Sequence, residues 1–271
     1  MTTFFWGATF LITQNILNQI TALQIIMYRF GIATLLLLPF VKFKKVIFMI
    51  KKTSILGFLI FISYYLQTLG LKYTTTGRSG FFTFLFAIFI PFLQYFLIKE
   101  KIKKHHFISL VIVLVGMLFL TKPGYSNINI GDVLTIICAF ATALQIVLLN
   151  IYSSKHESTT LAFSQFLVVT ILAGTISIYQ NEAILFPVKD WIGILYLAVP
   201  ATAWGILSQN LYQRYISATE AALIYALEPI IALLLGVVFL KESFGFIDFI
   251  GFLFVLLGVM YSELPIKSKT N

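Results

Sequence analysis

The chain is poor in the groups a protein needs to face water. Only 11% of its 271 residues are charged and 59% are hydrophobic, where soluble domains carry roughly 25% and 45–50%. Mean hydropathy is +0.96. A water-soluble globule of this length would need more polar surface than these residues supply, so lipid must cover the exterior. Cysteine is nearly absent as well. The single thiol, Cys138, sits in an apolar run; it excludes an intramolecular disulfide and a cysteine-based zinc site, and reads as a buried, inert side chain. No Walker loop or other nucleotide motif is present, which argues against an ATP-driven pump on this chain alone, and no cofactor is expected. Histidine is scarce, at three residues. His105 and His106, in a Lys-rich stretch near Glu100, are read as a cytoplasmic surface and not as a catalytic or metal cluster.

Positive charge is present, but it is not spread as a nucleic-acid groove would require. The net charge is +9. Lys42, Lys44, Lys45, Lys51, Lys52, Lys99, Lys101, Lys103, Lys104, Lys267 and Lys269 all flank long apolar runs, the asymmetry expected of cytoplasmic loops.

Ten apolar runs are long enough, or nearly so, for the ~20 residues that cross a bilayer: 2–18, 21–41, 54–71, 76–98, 106–121, 129–152, 158–179, 188–210, 217–240 and 244–264. With the N-terminus inside, cytoplasmic segments hold thirteen Lys and Arg, and outer loops hold five: Lys72, Arg78, Lys122, Lys189 and Lys241. That count predicts a multi-pass protein of the cytoplasmic membrane with both termini inside. No Lys or Arg precedes residues 1–18, so they do not read as a cleavable leader. The first run begins almost at Met1, and a start further upstream is expected.

The halves repeat. A shift of 142 superposes Tyr73 on Tyr215, Lys99-Glu100 on Lys241-Glu242, Phe107-Ile108 on Phe249-Ile250, Val113-Leu114 on Val255-Leu256, and Gly116 on Gly258. Apolar bias alone does not place Tyr, Lys-Glu and Gly at one shift. Five spans per copy is odd, so the second copy (124–271) must enter the bilayer opposite to the first (1–123). The expected fold is all-α, two inverted five-helix repeats around a central cavity, as in secondary transporters.

Ionisable groups inside spans cost roughly 2.5–3.5 kcal/mol each at the helix centre on insertion scales and are candidates for function. Glu228 lies midway along the ninth run, before Pro229, which removes a backbone donor and breaks or kinks the helix. It could bind a solute amine or a proton, or act as a protonated packing device. Arg29, in the second run, could attract a solute carboxylate, pair with Glu228, or snorkel to the headgroups. Glu100 and Glu242 read as solvated helix ends, and Glu220 and Asp248 as N-terminal dipole partners. Trp6, Thr9 and Thr13 share a helical face, as do Tyr64, Gln67 and Thr68, and Trp204 with Ser208. Gln209 and Asn210 follow, Thr142 and Gln145 lie along the sixth run, and Tyr225 precedes Glu228 by one turn. From these we take Trp6, Thr9, Tyr64, Gln67, Trp204, Tyr225 and Glu228 as the candidate solute-binding set, with Arg29 and Glu228 as charge partners or coupling groups. The Phe81–Phe92 run reads as packing and lipid-facing surface. Gly251 and Gly258, matching Ser109 and Gly116, permit close helix approach, internally or at a homodimer seam.

Several stretches resemble the EamA-type family of the drug/metabolite transporter superfamily. They are Phe5-Trp6-Gly7-Ala8-Thr9-Phe10, Met27-Tyr28-Arg29-Phe30, and Gly70 to Gly80 followed by Pro91 and Lys99-Glu100. In the second half, Leu227-Glu228-Pro229 is followed by Gly236 and Lys241-Glu242. One departure is Cys138-Ala139-Phe140-Ala141, without the Trp that often opens the second repeat. The resemblance implies a ten-helix basket with a central cavity and alternating access but no particular substrate, since members move amino acids, amines, nucleotide-related metabolites and drugs. The expected function is secondary transport of a small metabolite such as an amino acid, amine or drug-like solute, as an exporter, with a proton at Glu228 as the candidate coupling ion. The competing classes are a lipid flippase and a membrane-embedded enzyme.

Overall fold

The computed structural model describes residues 2–121, 127–182, 191–240 and 245–262, and these are all helix, turn or coil, with no strand among them. In chain order the helices are α1 (Thr2–Gly7), α2 (Thr9–Leu17), α3 (Ala22–Leu37), α4 (Phe43–Gly70), α5 (Thr76–Phe84), α6 (Phe86–Ile98) and α7 (Lys104–Thr121). The second half has α8 (Ile130–Ser153), α9 (Ser158–Tyr179), α10 (Trp191–Ala198), α11 (Gly205–Tyr212), α12 (Ala218–Tyr225), α13 (Glu228–Leu240) and α14 (Phe246–Ser262). Seven segments are long and apolar enough to cross a membrane: Ala22–Phe40, Phe43–Gly70, Thr76–Ile98, Lys104–Thr121, Ile130–Ser153, Ser158–Tyr179 and Trp191–Tyr215. Phe246–Ser262 is a shorter apolar helix.

Polarity runs inside out, as lipid demands. Arg29, Gln165 and Asp132 are buried, while Phe40, Phe48, Phe96 and Ile192 are exposed. With no water to satisfy them, buried side chains bond across helices: Gln165 Nε2 donates to Asn210 Oδ1 at 3.3 Å, and Thr219 Oγ1 donates to Gln94 Oε1 at 2.9 Å.

Local signals fix the helix starts. Thr21 and Gln24 form a capping box opening α3, Asn129 and Asp132 open α8, and Ser217 and Glu220 open α12. Lys99, at φ 62°, ends α6 in the left-handed region. One boundary departs from the sequence reading. The Lys-rich stretch 42–53, expected as a loop, is the first third of α4. Lysine is a good helix former, and Val46 and Met49, three apart, are buried while Lys44, Lys45, Lys51 and Lys52 stay at or near the surface. Hydropathy marks where the membrane ends, not where the helix does.

Arg78, counted as an outer-loop cation, is buried instead. Its Nε donates to Asp132 Oδ1 at 3.0 Å and its Nη2 meets Oδ2, while Thr74 Oγ1 donates to Oδ1 at 2.7 Å. His106 also departs from expectation: it is 3% exposed and lies 3.6 Å from Glu220 Oε1. Glu220 and Asp248 accept from the backbone N–H groups of Ser217 and Gly245 at 2.8 and 2.9 Å, at their helix starts. Lys122, Pro187, Lys189, Lys241, Glu242, Lys267 and Lys269 lie outside the described residues.

The helix boundaries recur at the shift seen in the sequence. Helices α5, α6 and α7 begin at 76, 86 and 104, and α12, α13 and α14 at 218, 228 and 246, each 142 later. Caps recur too: Thr75 Oγ1 accepts from Arg78 N, and Ser217 Oγ from Glu220 N, both at 3.2 Å. Helices α3 and α9 begin at 22 and 158, a shift of 136, and the equivalents Thr34 and Thr170 touch, Oγ1 to Oγ1, at 3.3 Å.

Helices α7 and α14 pack as closely as backbones allow. A Cβ on Gly116 would fall 2.9 Å from the Gly251 carbonyl oxygen, and one on Gly258 would fall 3.1 Å from that of Ser109. Advancing along α7 from Ser109 to Gly116 moves the contact back along α14 from Gly258 to Gly251, so the two helices run antiparallel. Helices α3 and α9 do likewise: Gly31 meets Thr170 while Met27 meets Gly174.

Candidate functional site

Three interruptions bring polar groups to one place. Helix α1 stops at Gly7 and α2 restarts at Thr9; α5 gives way to α6 at Leu85; α12 gives way to α13 across Ala226 and Leu227. The last two coincide at the 142 shift. Pro229, the second residue of α13, has no N–H to offer the Tyr225 carbonyl, which explains the break beside Glu228. A fourth irregularity is the π-helical stretch Val199–Trp204 joining α10 to α11, with Pro200 as its second residue. It leaves the Ala201 carbonyl open to accept from Trp6 Nε1 at 2.7 Å. Gly205 is required here, because a Cβ would come within 2.9 Å of that indole nitrogen.

Around these breaks lies a cavity of about 90 Å³, small beside the roughly 300–1,000 Å³ of open ligand pockets. It sits between two apolar clusters, one around Phe86, Ile146 and Tyr225 and one around Phe30, Phe163 and Ile206, and Trp6 packs against both. Trp6, Thr9, Tyr64, Gln67, Tyr225, Glu228 and Arg29 all line it, so the geometry gathers these expected residues together. Thr142, Gln145 and Gln209 line it as well.

Trp204 does not. It is 53% exposed, and the wall from the eighth run is made by Ile206 and Gln209. At ~100° per residue, Trp204 points away from a face centred on Ile206, two positions on. Thr13, Thr68 and Ser208 are also absent from the lining, and Asn210 is occupied by Gln165.

Arg29 is held from two sides. Its Nε donates to Thr202 Oγ1, which itself donates to the Leu197 carbonyl at 2.7 Å. Its guanidinium lies 4.5 Å from the centre of the Tyr64 ring. At 4% exposure it does not snorkel. Nor does it pair with Glu228: among the described residues, the ion pairs are Lys45–Glu157, Arg78–Asp132, Lys103–Glu220 and His106–Glu220. The cavity therefore presents a cation and a carboxyl within electrostatic reach of each other but, among the described residues, without a contact ion pair for either. Ser63 Oγ and Gln145 Nε2, also in the lining, are buried with no hydrogen-bond partner. Elsewhere the polar lining is spoken for: Gln67 Nε2 donates to Thr83 Oγ1 at 3.1 Å, and the Tyr225 hydroxyl donates to Gln213 Oε1 at 3.3 Å.

Sequence reasoning missed seven lining groups, among them the apolar Ile60, Ile146 and Ile206. Phe86 was assigned to packing surface, and Phe10, Thr83 and Ser63 lacked any period that separates cavity from helix contact. Cys138, buried as expected, also faces this space. No group of three His, Cys, Asp or Glu able to hold a metal occurs among the described residues.

The EamA-like transporter family matches this sequence at residues 1–122 and again at 129–263. The chain belongs to the EamA-like transporter family. An uncharacterized transporter of Archaeoglobus fulgidus is 30% identical over 96% of this chain and 83% of its own length. The uncharacterized transporter YetK of Bacillus subtilis is 27% identical over 83% of this chain and 70% of its own. A chain from one crystal structure superposes with a TM-score of 0.81 at 15% identity, covering 97% of this chain and 94% of that one. The protein is thus a multi-pass membrane transporter of the EamA-like family.

Proposed function

We propose that this EamA-like protein is a secondary transporter that exports a small solute carrying both an anionic and a basic group, such as an amino acid, by alternating access. The observation that carries the reading is the pair Arg29 and Glu228, which face one cavity and feel each other's charge but form no contact ion pair with each other or with other described residues. Burying unpaired charge is costly, and a solute that brings the complementary charges removes that cost. Ser63 and Gln145 add an unoccupied acceptor and donor.

The architecture we propose is ten spans in two inverted five-helix repeats, 1–123 and 124–271. Reading the interrupted pairs α1–α2 and α12–α13, and the short α14, as spans brings seven to ten. The shared boundaries and the antiparallel contacts of equivalent helices support the inversion. Both termini are then cytoplasmic. Glu228 is the candidate coupling group, exchanging a proton for the solute's amine.

Reconstituted vesicles test this. Arg29→Gln should lower transport of carboxylate-bearing solutes roughly 10–150-fold, the value of ~1.5–3 kcal/mol for a hydrogen bond to a charged group. Glu228→Gln should remove pH dependence and the advantage of amines. Unchanged pH dependence in Glu228→Gln would end the coupling proposal. Efflux from preloaded vesicles and cells gives the direction.

A further inference from the structure

A second space of about 200 Å³ adjoins the polar cavity. The two share one wall, made by Phe10, Thr83, Phe86, Tyr225 and Glu228, so a molecule held by Glu228 has both spaces within reach. They differ in chemistry. The first holds Arg29, Gln67, Gln145 and Gln209. The second has no charged side chain except the shared Glu228, and its far wall is Leu11, Gly80, Met117, Leu120 and Leu233. Gly80 leaves room there, since a Cβ on it would meet nothing within 4 Å. An apolar cavity of about 150 Å³ already accommodates a benzene ring in other proteins.

We propose that this second space is a subsite for the apolar tail of the transported solute, and that Gly80 sets how large a tail fits. The solute would lie across Glu228, with its charged head toward Arg29 and a branched-alkyl or aromatic group against Met117 and Leu233. The proposal rests on the polar cavity being the head-group site, but its test separates the two. A hydrophobic pocket distinguishes solutes by roughly 10–200-fold per methylene-sized mismatch, so the effect is large enough to read.

The experiment uses the full chain in detergent and in proteoliposomes. Probes are amino acids from alanine through leucine to phenylalanine, with alkylamines and alkylcarboxylates of the same tails, read by thermal stabilisation and by competition for uptake. Binding should rise with tail size up to a phenyl ring. Gly80→Leu, filling the space, should lower the preference for phenylalanine over alanine about tenfold or more. Leu233→Phe, intruding from another helix of the same lining, should shift it the same way and keeps the test alive should Gly80→Leu not fold. A preference for zwitterions that ignores tail size, or is untouched in the folded variants, overturns the subsite. Dependence on tail size with no preference among head groups keeps the subsite and instead overturns the reading of Arg29 and Glu228. If an acyl chain of the bilayer fills the space, the variants alter stability without altering solute ranking, which also counts against it.

Discussion

Arg29 shows what a single side chain in lipid has to satisfy. Its Nε is committed to Thr202 and its flat face to Tyr64, so the remaining donors are set in direction before any solute arrives. Lysine has neither the planar face nor the fork. Arg29→Lys should therefore impair transport nearly as much as Arg29→Gln while leaving the melting temperature in detergent close to that of the parent; equal activity would show that charge alone matters. At the membrane edge, the Lys45 ammonium 2.8 Å from Glu157 holds that carboxyl below the usual glutamate range. A depressed carboxylate stabilises the fold above the unfolded glutamate value of about 4.3 and loses that contribution as pH falls through the lower, folded value. Both side chains are about half exposed, so the pair is worth under about 1 kcal/mol. Lys45→Ala should lower the melting temperature slightly at pH 7 and low salt, and leave it unchanged near pH 3 or in high salt.

At the scale of elements, the contact of α7 with α14 is limited by backbone. A side chain on Gly116 has no flexible neighbour to displace, because Gly251's carbonyl and Val255's amide stand within 2.9 Å of its Cβ position. Gly116→Leu should cost at least the ~1–3 kcal/mol of ordinary overpacking, visible as a lower melting temperature, whereas Gly80→Ala should be neutral or stabilising. Much of this arrangement was legible beforehand. Apolar runs separated the helices because lipid punishes every exposed backbone group, and the 142 shift that aligns Tyr73 with Tyr215 also aligns helix starts. The breaks beside Glu228 and the gathering of Trp6, Tyr64, Gln67 and Tyr225 followed from proline chemistry and shared faces. What was illegible depended on rotation and partners. Trp204 and Gln209 are five apart on one helix, and no sequence period says which faces the cavity. Arg78 looked like a loop cation because its partner, Asp132, is 54 positions away. His106 looked like surface because Glu220 comes from the other half.

For the whole molecule, the sole cysteine makes the proposed topology directly testable. Cys138 is buried, so Cys138→Ser provides a blank background. Lys72→Cys, in the exposed turn after α4, and Ser154→Cys, in the exposed turn after α8, should fall on opposite faces of the membrane. An impermeant maleimide should label the first in intact cells and the second only after lysis. Labelling of both from outside would contradict two units inverted with respect to each other.

The glycine-lined contact of α7 with α14 also limits how such a molecule can change shape. Main chains meeting at Gly116, Gly251 and Gly258 leave little slack for one helix to slide along the other. In the alternating cycle proposed above, the α7–α14 line would be the fixed edge, and the travel would come from the breaks in α5–α6 and α12–α13, which pack against it.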